Sequence, residues 1–272
     1  MNLMWKISNH VISELYVNGT NIIYPWGFET ADSSAFFSLE AGVGWRHQCL
    51  KEFYDSSLDH FTANIVTQMK EGKWELNIAD KIESLNQVTR FVEAQCHEES
   101  IFMDFVMRFR FKKEHFEFAQ ISGKKIYHKA SNVYHQYPVN VVVLSGNQFD
   151  IKIKIMDSKV PSQMEPVMYV RDSDNEWVVH VRMLPKIYEK EVIKICTRWA
   201  RTRPLPQPLS NLILKNKKLR NFLWYRGEVN PHNYNFPLKL FNPSAYPMCR
   251  LARGTKLMWK VSTEINEKSN HK

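Results

Sequence analysis

The sequence reads as a mainly β protein: a large antiparallel β-sandwich, or an open barrel, with one short helix near residues 212–223. Three observations predict this. Apolar and polar residues alternate with period two in several segments, which sets one face of each strand on a core and the other in water or a groove. Turn-forming clusters recur between those segments, as hairpins require. No strand–helix alternation is visible, which argues against a doubly wound parallel sheet.

The elements follow in chain order. Val11–Val17 runs into Asn18-Gly19, and Asn21-Ile22-Ile23-Tyr24 resumes at once, as in a hairpin. Residues 102–111 end in strict alternation, with Phe105, Met107, Phe109 and Phe111 on one side and Arg108, Arg110 and Lys112 on the other. Residues 115–121 alternate, and 151–155, Ile-Lys-Ile-Lys-Ile, is the cleanest case. In 177–183, Trp177, Val179, Val181 and Met183 share one face and Val178, His180 and Arg182 the other; 192–196 continues the pattern. Turns are expected at Ser122-Gly123, Ser145-Gly146-Asn147 and 172–175. Pro204, Pro206 and Pro208 read as a stiff connector before the helix, with Ser210 as its cap. Residues 230–247 read as a long loop and 264–272 as a frayed tail. The hexapeptide at 3–8 echoes that at 257–262, by chance or because the terminal strands occupy similar places. The whole chain reads as one β-rich domain, with the main sheets in 1–200 and the connector, helix, loop and closing strand in 204–272.

Composition narrows the class. The 272 residues are 44% hydrophobic, enough for a large core, and 13% aromatic, which favours sheet or an aromatic-lined site. No apolar run approaches the roughly 20 residues of a membrane helix, and no signal peptide is seen, so a cytoplasmic location is expected. Cys49, Cys96, Cys196 and Cys249 are widely spaced and read as buried free thiols. The net charge of +9 is uneven: residues 1–100 carry −7 and the remainder +16. That basic part suits a polyanion, or is a solvated face.

No P-loop, G-x-G-x-x-G, G-x-S-x-G or H-E-x-x-H pattern is present, and only nine glycines occur. Neither a cofactor nor a metal is therefore expected. The candidate chemistry lies in three clusters. "HKASNVYHQYP", residues 128–138, packs His128, Asn132, Tyr134, His135, Gln136 and Tyr137 before the apolar run at 139–144. Imidazoles exchange protons near neutrality, phenol rings stack on sugar faces, and amides match vicinal hydroxyls. Tyr169, Arg171, His180 and Arg182 form a second cluster, in which a guanidinium can hold a carboxylate or phosphate. Trp224, Tyr225, Arg226 and Glu228 form a third; Glu228 is the only acidic residue between Glu191 and Glu264 and is a candidate acid or base. For each cluster a purely structural role, in core, turn cap or ion pair, stays open.

One stretch carries a family likeness. "ISELYVNGTNIIYPWG", Ile12 to Gly27, resembles the start of galactose-mutarotase-like proteins, where an early strand carries an Asn-Gly turn before a Tyr-Pro segment. The resemblance implies a mutarotase-like supersandwich that binds a sugar in a groove on one sheet. In the aldose epimerases of that family a histidine and a glutamate exchange protons with the sugar ring. Carried over, this gives His135 as acid and Glu228 as base. Independently of the resemblance, His180 of the second cluster is a further catalytic candidate. The family's His-Pro pattern is not present, and Tyr137-Pro138 after His135 stands nearest to it.

The expected function is thus a carbohydrate-active protein of epimerase, lyase or hydrolase type, with a sugar or an acidic polysaccharide as partner. The alternatives are a non-catalytic sugar-recognition or scaffold protein, and a basic nucleic-acid-binding protein, which lacks any recognisable module. The sequence leaves the oligomeric state open.

Overall fold

The structure is a computed structural model that describes residues 1–32, 36–38, 43–44, 48–69, 72–131, 133–185, 194–196, 202–204, 206–216, 229–230, 244–246 and 249–268. Its early strands are β1 (Leu3–Ser8), β2 (Val11–Val17), β3 (Thr20–Asn21), β4 (Ile23–Asp32), β5 (Phe36–Ser38), β6 (Val43–Gly44), β7 (Gln48–Ser56) and β8 (His60–Met69). The middle of the chain gives β9 (Gly72–Ser84), β10 (Gln87–Glu98), β11 (Ser100–Lys112), β12 (Phe118–Ile121), β13 (Lys124–Tyr127), β14 (Tyr134–Tyr137), β15 (Val141–Ser145) and β16 (Phe149–Lys159). The last are β17 (Met164–Ser173), β18 (Glu176–Pro185), β19 (Lys194–Cys196), β20 (Thr202–Pro204), helix α1 (Gln207–Lys215), β21 (Val229–Asn230), β22 (Ser244–Tyr246), β23 (Cys249–Leu251) and β24 (Lys256–Glu267).

The protein is mainly β and antiparallel. One large sheet has the order β13-β12-β15-β16-β24-β10-β9-β8-β7, the other β21-β14-β17-β18-β11-β4-β5-β6 with β23 beside β11. Two three-stranded sheets, β1-β2-β3 and β20-β19-β22, accompany them. Alternation builds the core: in β9 every second residue from Gly72 to Asp80 is buried, so Trp74, Leu76 and Ile78 point inward. Aromatic rings bridge the two large sheets, Trp74 of β9 lying 4.8 Å edge-on from Phe105 of β11 and Trp259 of β24 lying 6.0 Å from Phe28 of β4. Phe105, Met107, Phe109 and Phe111 are all buried, as the alternation in 105–112 requires.

An ion pair also crosses the interior. Arg90 of β10 donates through Nε and Nη2 to Asp80 of β9 (2.6 and 2.8 Å), while its Nη1 donates to the Gly27 carbonyl of β4 (2.9 Å). Both side chains are almost wholly buried, so the bidentate geometry and the third bond offset their desolvation. Arg90 thereby ties one large sheet to the backbone of the other.

Local signals explain the turns. Asn18 and Gly19 adopt φ of 51° and 84°, which a tight two-residue hairpin needs. At Gly146 a Cβ would fall 1.7 Å from the His115 carbonyl oxygen, so only glycine fits that close approach.

Several expectations are corrected. The helix is Gln207–Lys215, starting earlier than expected: Pro206 is its N-cap, Pro208 sits in its first turn, where a missing N–H costs nothing, and Ser210 lies inside it. Residues 217–223 lie outside the described residues. The C-terminal segment is no frayed tail as far as Glu267, because β24 pairs with both β16 and β10 and Lys268 donates to the Gln148 carbonyl. The echoing hexapeptides occupy different places, one in a small sheet and one in the middle of a large one. Cys49 is exposed, whereas Cys96 and Cys249 are buried thiols. No helix among the described residues is long and apolar enough to cross a membrane.

Candidate functional site

In an antiparallel ladder, residues directly opposite one another point to the same side of the sheet. The β14-β17-β18-β11-β4 part of the second large sheet can therefore be read as rows. One inward row is His135–Val170–Val179–Phe109, and the next is Tyr137–Met168–Val181–Met107–Phe28. The outward rows between them are Gln136–Tyr169–His180–Arg108–Gly27 and Tyr134–Arg171–Val178–Arg110–Tyr24, with Val167–Arg182–Val106–Glu29 alongside. The outward face thus collects four arginines from three adjacent strands around one histidine.

The contacts within it are specific. Arg182 Nη1 donates to Gln136 Oε1 at 3.0 Å, and its guanidinium stands 5.7 Å from the Tyr169 ring centroid. The Tyr169 hydroxyl lies 3.3 Å from His180 Nε2, with the two rings 4.2 Å apart. Arg108 pairs with Glu29 and Arg110 with Glu176, each at 2.6 Å, and Arg110 also lies over the Tyr24 ring. Burial holds His180 well below the ordinary histidine range, and Arg108, Arg182, Arg171 and Arg110 push it the same way. His180 is therefore a neutral imidazole in a cationic surround. Tyr169 (5%), His180 (8%) and Arg182 (2%) are scarcely exposed, whereas Arg108, Arg110 and Arg171 are half-buried.

The expected site residues divide accordingly. Gln136, Arg171, His180 and Arg182 come together on the outward face, and the backbone of Tyr134 pairs with that of Arg171. His135 does not join them. It is one residue out of phase with Tyr134 and Gln136, so the pleat turns it to the inward side, where its Nδ1 is buried without a hydrogen-bond partner among the described residues. Burial lowers its pKa first of all; Asp172 opposes this and Lys124 reinforces it. Tyr137 is also inward, in the core cluster, its hydroxyl accepting from Lys124 Nζ at 2.7 Å. His128 serves the loop: its Nε2 lies 2.8 Å from the Ser173 carbonyl, and its ring packs edge-on against Trp177. The polar crowding after it has a structural cause. Asp172, 1% exposed, accepts from the Lys129 and Ser131 amides (3.0 and 2.9 Å) and from the Ser131 hydroxyl (2.5 Å), folding that loop onto β17. Asn132, Trp224, Tyr225, Arg226 and Glu228 lie outside the described residues; Val229, next after Glu228 in sequence, pairs with His135.

In the sequence alone Tyr169 has no role of its own, and Arg108, Arg110 and Glu29 lie outside the three candidate clusters. The signal for the two arginines was present, since the alternation in 105–112 already put them on one face. No group of three His, Cys, Asp or Glu able to hold a metal occurs among the described residues.

The sequence matches no protein-family model and no curated protein sequence. The fold, however, is shared. A solved structure from Escherichia coli K12, described as a "putative aldose 1-epimerase", superposes with a TM-score of 0.53 at 9% identity, covering 98% of this chain and 97% of that one. The chain therefore has the β-sandwich fold of that protein over essentially its whole length.

Proposed function

We propose that the protein binds a carbohydrate bearing an acidic group on the outward face of β14-β17-β18-β11-β4, and acts on it as an epimerase, lyase or hydrolase. The observation that carries this reading is the neutral His180 set among four arginines, with Tyr169 and Gln136 beside it. Arginine forks match carboxylate and phosphate oxygens in paired hydrogen bonds, which suits a uronate or a sugar phosphate. Gln136 offers both a donor and an acceptor to hydroxyls. A neutral imidazole can take a proton from a sugar hydroxyl, the phenol of Tyr169 can supply one, and the arginines would stabilise the negative charge that develops. The fold shared with a protein described as a "putative aldose 1-epimerase" supports the carbohydrate class and not the reaction.

One observation favours a second reading, a non-catalytic sugar-recognition protein. His180 is 8% exposed and its Nε2 already faces Tyr169, so the pair is closed to a substrate unless it opens. A glycan and sugar-nucleotide screen with purified protein, built from matched acidic and neutral members, tests the proposal. Acidic members should bind, and hits should then be followed for chemical conversion by NMR. Binding with no conversion selects the second reading, and steep salt-dependent binding to DNA with no sugar binding would select a nucleic-acid protein instead.

A further inference from the structure

The first large sheet ends at β7, which pairs with β8 on one side and has no strand on its other side among the described residues. Such an edge offers backbone donors and acceptors to any strand that reaches it. Register fixes the side chains it shows. Lys51, Phe53 and Asp55 stand opposite Val66, Asn64 and Thr62 of β8, on the face away from the core, while Ala63 and Ile65 between those partners are buried. Lys51 and Asp55 are exposed, and Phe53 is 60% exposed, a large apolar side chain in water.

A lone lysine in mid-strand would guard the edge against pairing. Here the charges are opposite in sign and spaced evenly about an aromatic ring, and that pattern is its own complement. An antiparallel pairing centred on Phe53 sets Lys51 against Asp55 of a second copy, Phe53 against Phe53, and Asp55 against Lys51. All three pairs fall on one face, where cross-strand ion and aromatic pairs are favourable. Asp55 remains 61% exposed even with His60 3.4 Å away, so it has room for the lysine. The bulge between Cys49 and Lys51 ends the regular ladder on one side, which keeps the paired segment short.

We propose that the β7 edge is a homodimer contact in which two copies of this chain join antiparallel about a twofold axis at Phe53, extending the large sheet across both subunits. An isologous contact of this kind closes on itself and buries little area, so the dimer is weak and concentration-dependent. Sedimentation velocity on the full chain over a wide concentration range tests it, with melting curves as the folding control. Wild type should show a monomer–dimer equilibrium. Lys51→Asp and Asp55→Lys should each weaken it by about tenfold or more, since each sets like charges opposite one another twice. An equimolar mixture of the two variants should dimerise again, because the introduced aspartate of one then faces the introduced lysine of the other, and the unchanged Asp55 faces the unchanged Lys51. A monomer at every concentration, a dimer indifferent to either reversal, or two folded variants whose mixture stays monomeric would each overturn the proposal.

Discussion

Phe109→Ala is the sharpest test of how the rows divide the second large sheet. Phe109 is 1% exposed, meets Trp26 edge-on at 4.9 Å, and lies beneath the Arg90 guanidinium at 5.7 Å. Truncating a fully buried phenylalanine costs about 3–5 kcal/mol through lost transfer energy and the cavity left behind. The upper half of that range applies here, because an aromatic pair and a cation–π contact go with it. The next residue toward the N-terminus, Arg108, faces the other way and pairs with Glu29, with a quarter of its side chain exposed. Arg108→Ala opens no core cavity and breaks a partly buried charge-assisted pair, so it should cost less than Phe109→Ala, about 1–3 kcal/mol. Equilibrium urea unfolding of both variants, compared at a common m-value, gives the two differences directly. A Phe109→Ala change under about 1 kcal/mol, or a larger loss for Arg108→Ala than for Phe109→Ala, would refute the assignment of faces.

Two further outcomes follow from the interior. Asp80→Asn strands the buried Arg90 charge and should cost about 3–5 kcal/mol in the same unfolding assay, whereas Asp80→Leu combined with Arg90→Met should recover most of it. The stability of the protein should also fall in acid through its histidines. His180 and His135 both sit below the ordinary value of 6.5 in the native state, so below pH 6.5 the unfolded chain binds the extra protons. Their contribution is intact above pH 6.5 and lost as the pH falls from there toward the depressed native values. His180 adds a slope on the order of 1 kcal/mol per pH unit in that window. His180→Gln should flatten the profile in that acid range, and an unchanged profile would show that His180 is not the buried neutral group described.

Much of the fold was legible because alternation survives where a strand has one wet face. Residues 105–112 and 151–155 revealed both their existence as strands and their inward sets. The first-sheet strands β8, β9 and β10 were harder to see. Asp80 and Arg90 occupy inward positions there, and a buried ion pair looks polar in a sequence whatever its partner. The helix begins before the position its apolar spacing suggests, because Pro208 looks like a barrier while proline is welcome in a first helical turn. At the site, "HKASNVYHQYP" reads as one crowd of hydrogen-bonding groups. The pleat splits it, sending Gln136 outward and His135 and Tyr137 inward, and Asp172, 41 residues on from Ser131, holds the loop before it. Proximity in sequence showed the chemistry of these residues; only strand phase and a distant partner decide which of them work together. The arginine cluster was legible one strand at a time, from 105–112 and from 177–183, but nothing in the sequence says that these two strands are neighbours.

Whether the arginine face recognises an acidic group on a carbohydrate turns on a single comparison. The affinity of a uronic acid or sugar phosphate relative to its neutral counterpart is measured by titration calorimetry in wild type and in Arg171→Gln, a half-buried position, with melting curves as the folding control. Wild type should prefer the acidic ligand, and this preference should fall by about tenfold or more in the variant, the worth of one charge-assisted hydrogen-bonded contact. Equal affinity for the acidic and neutral ligands in wild type, or a preference that Arg171→Gln leaves intact, would contradict it.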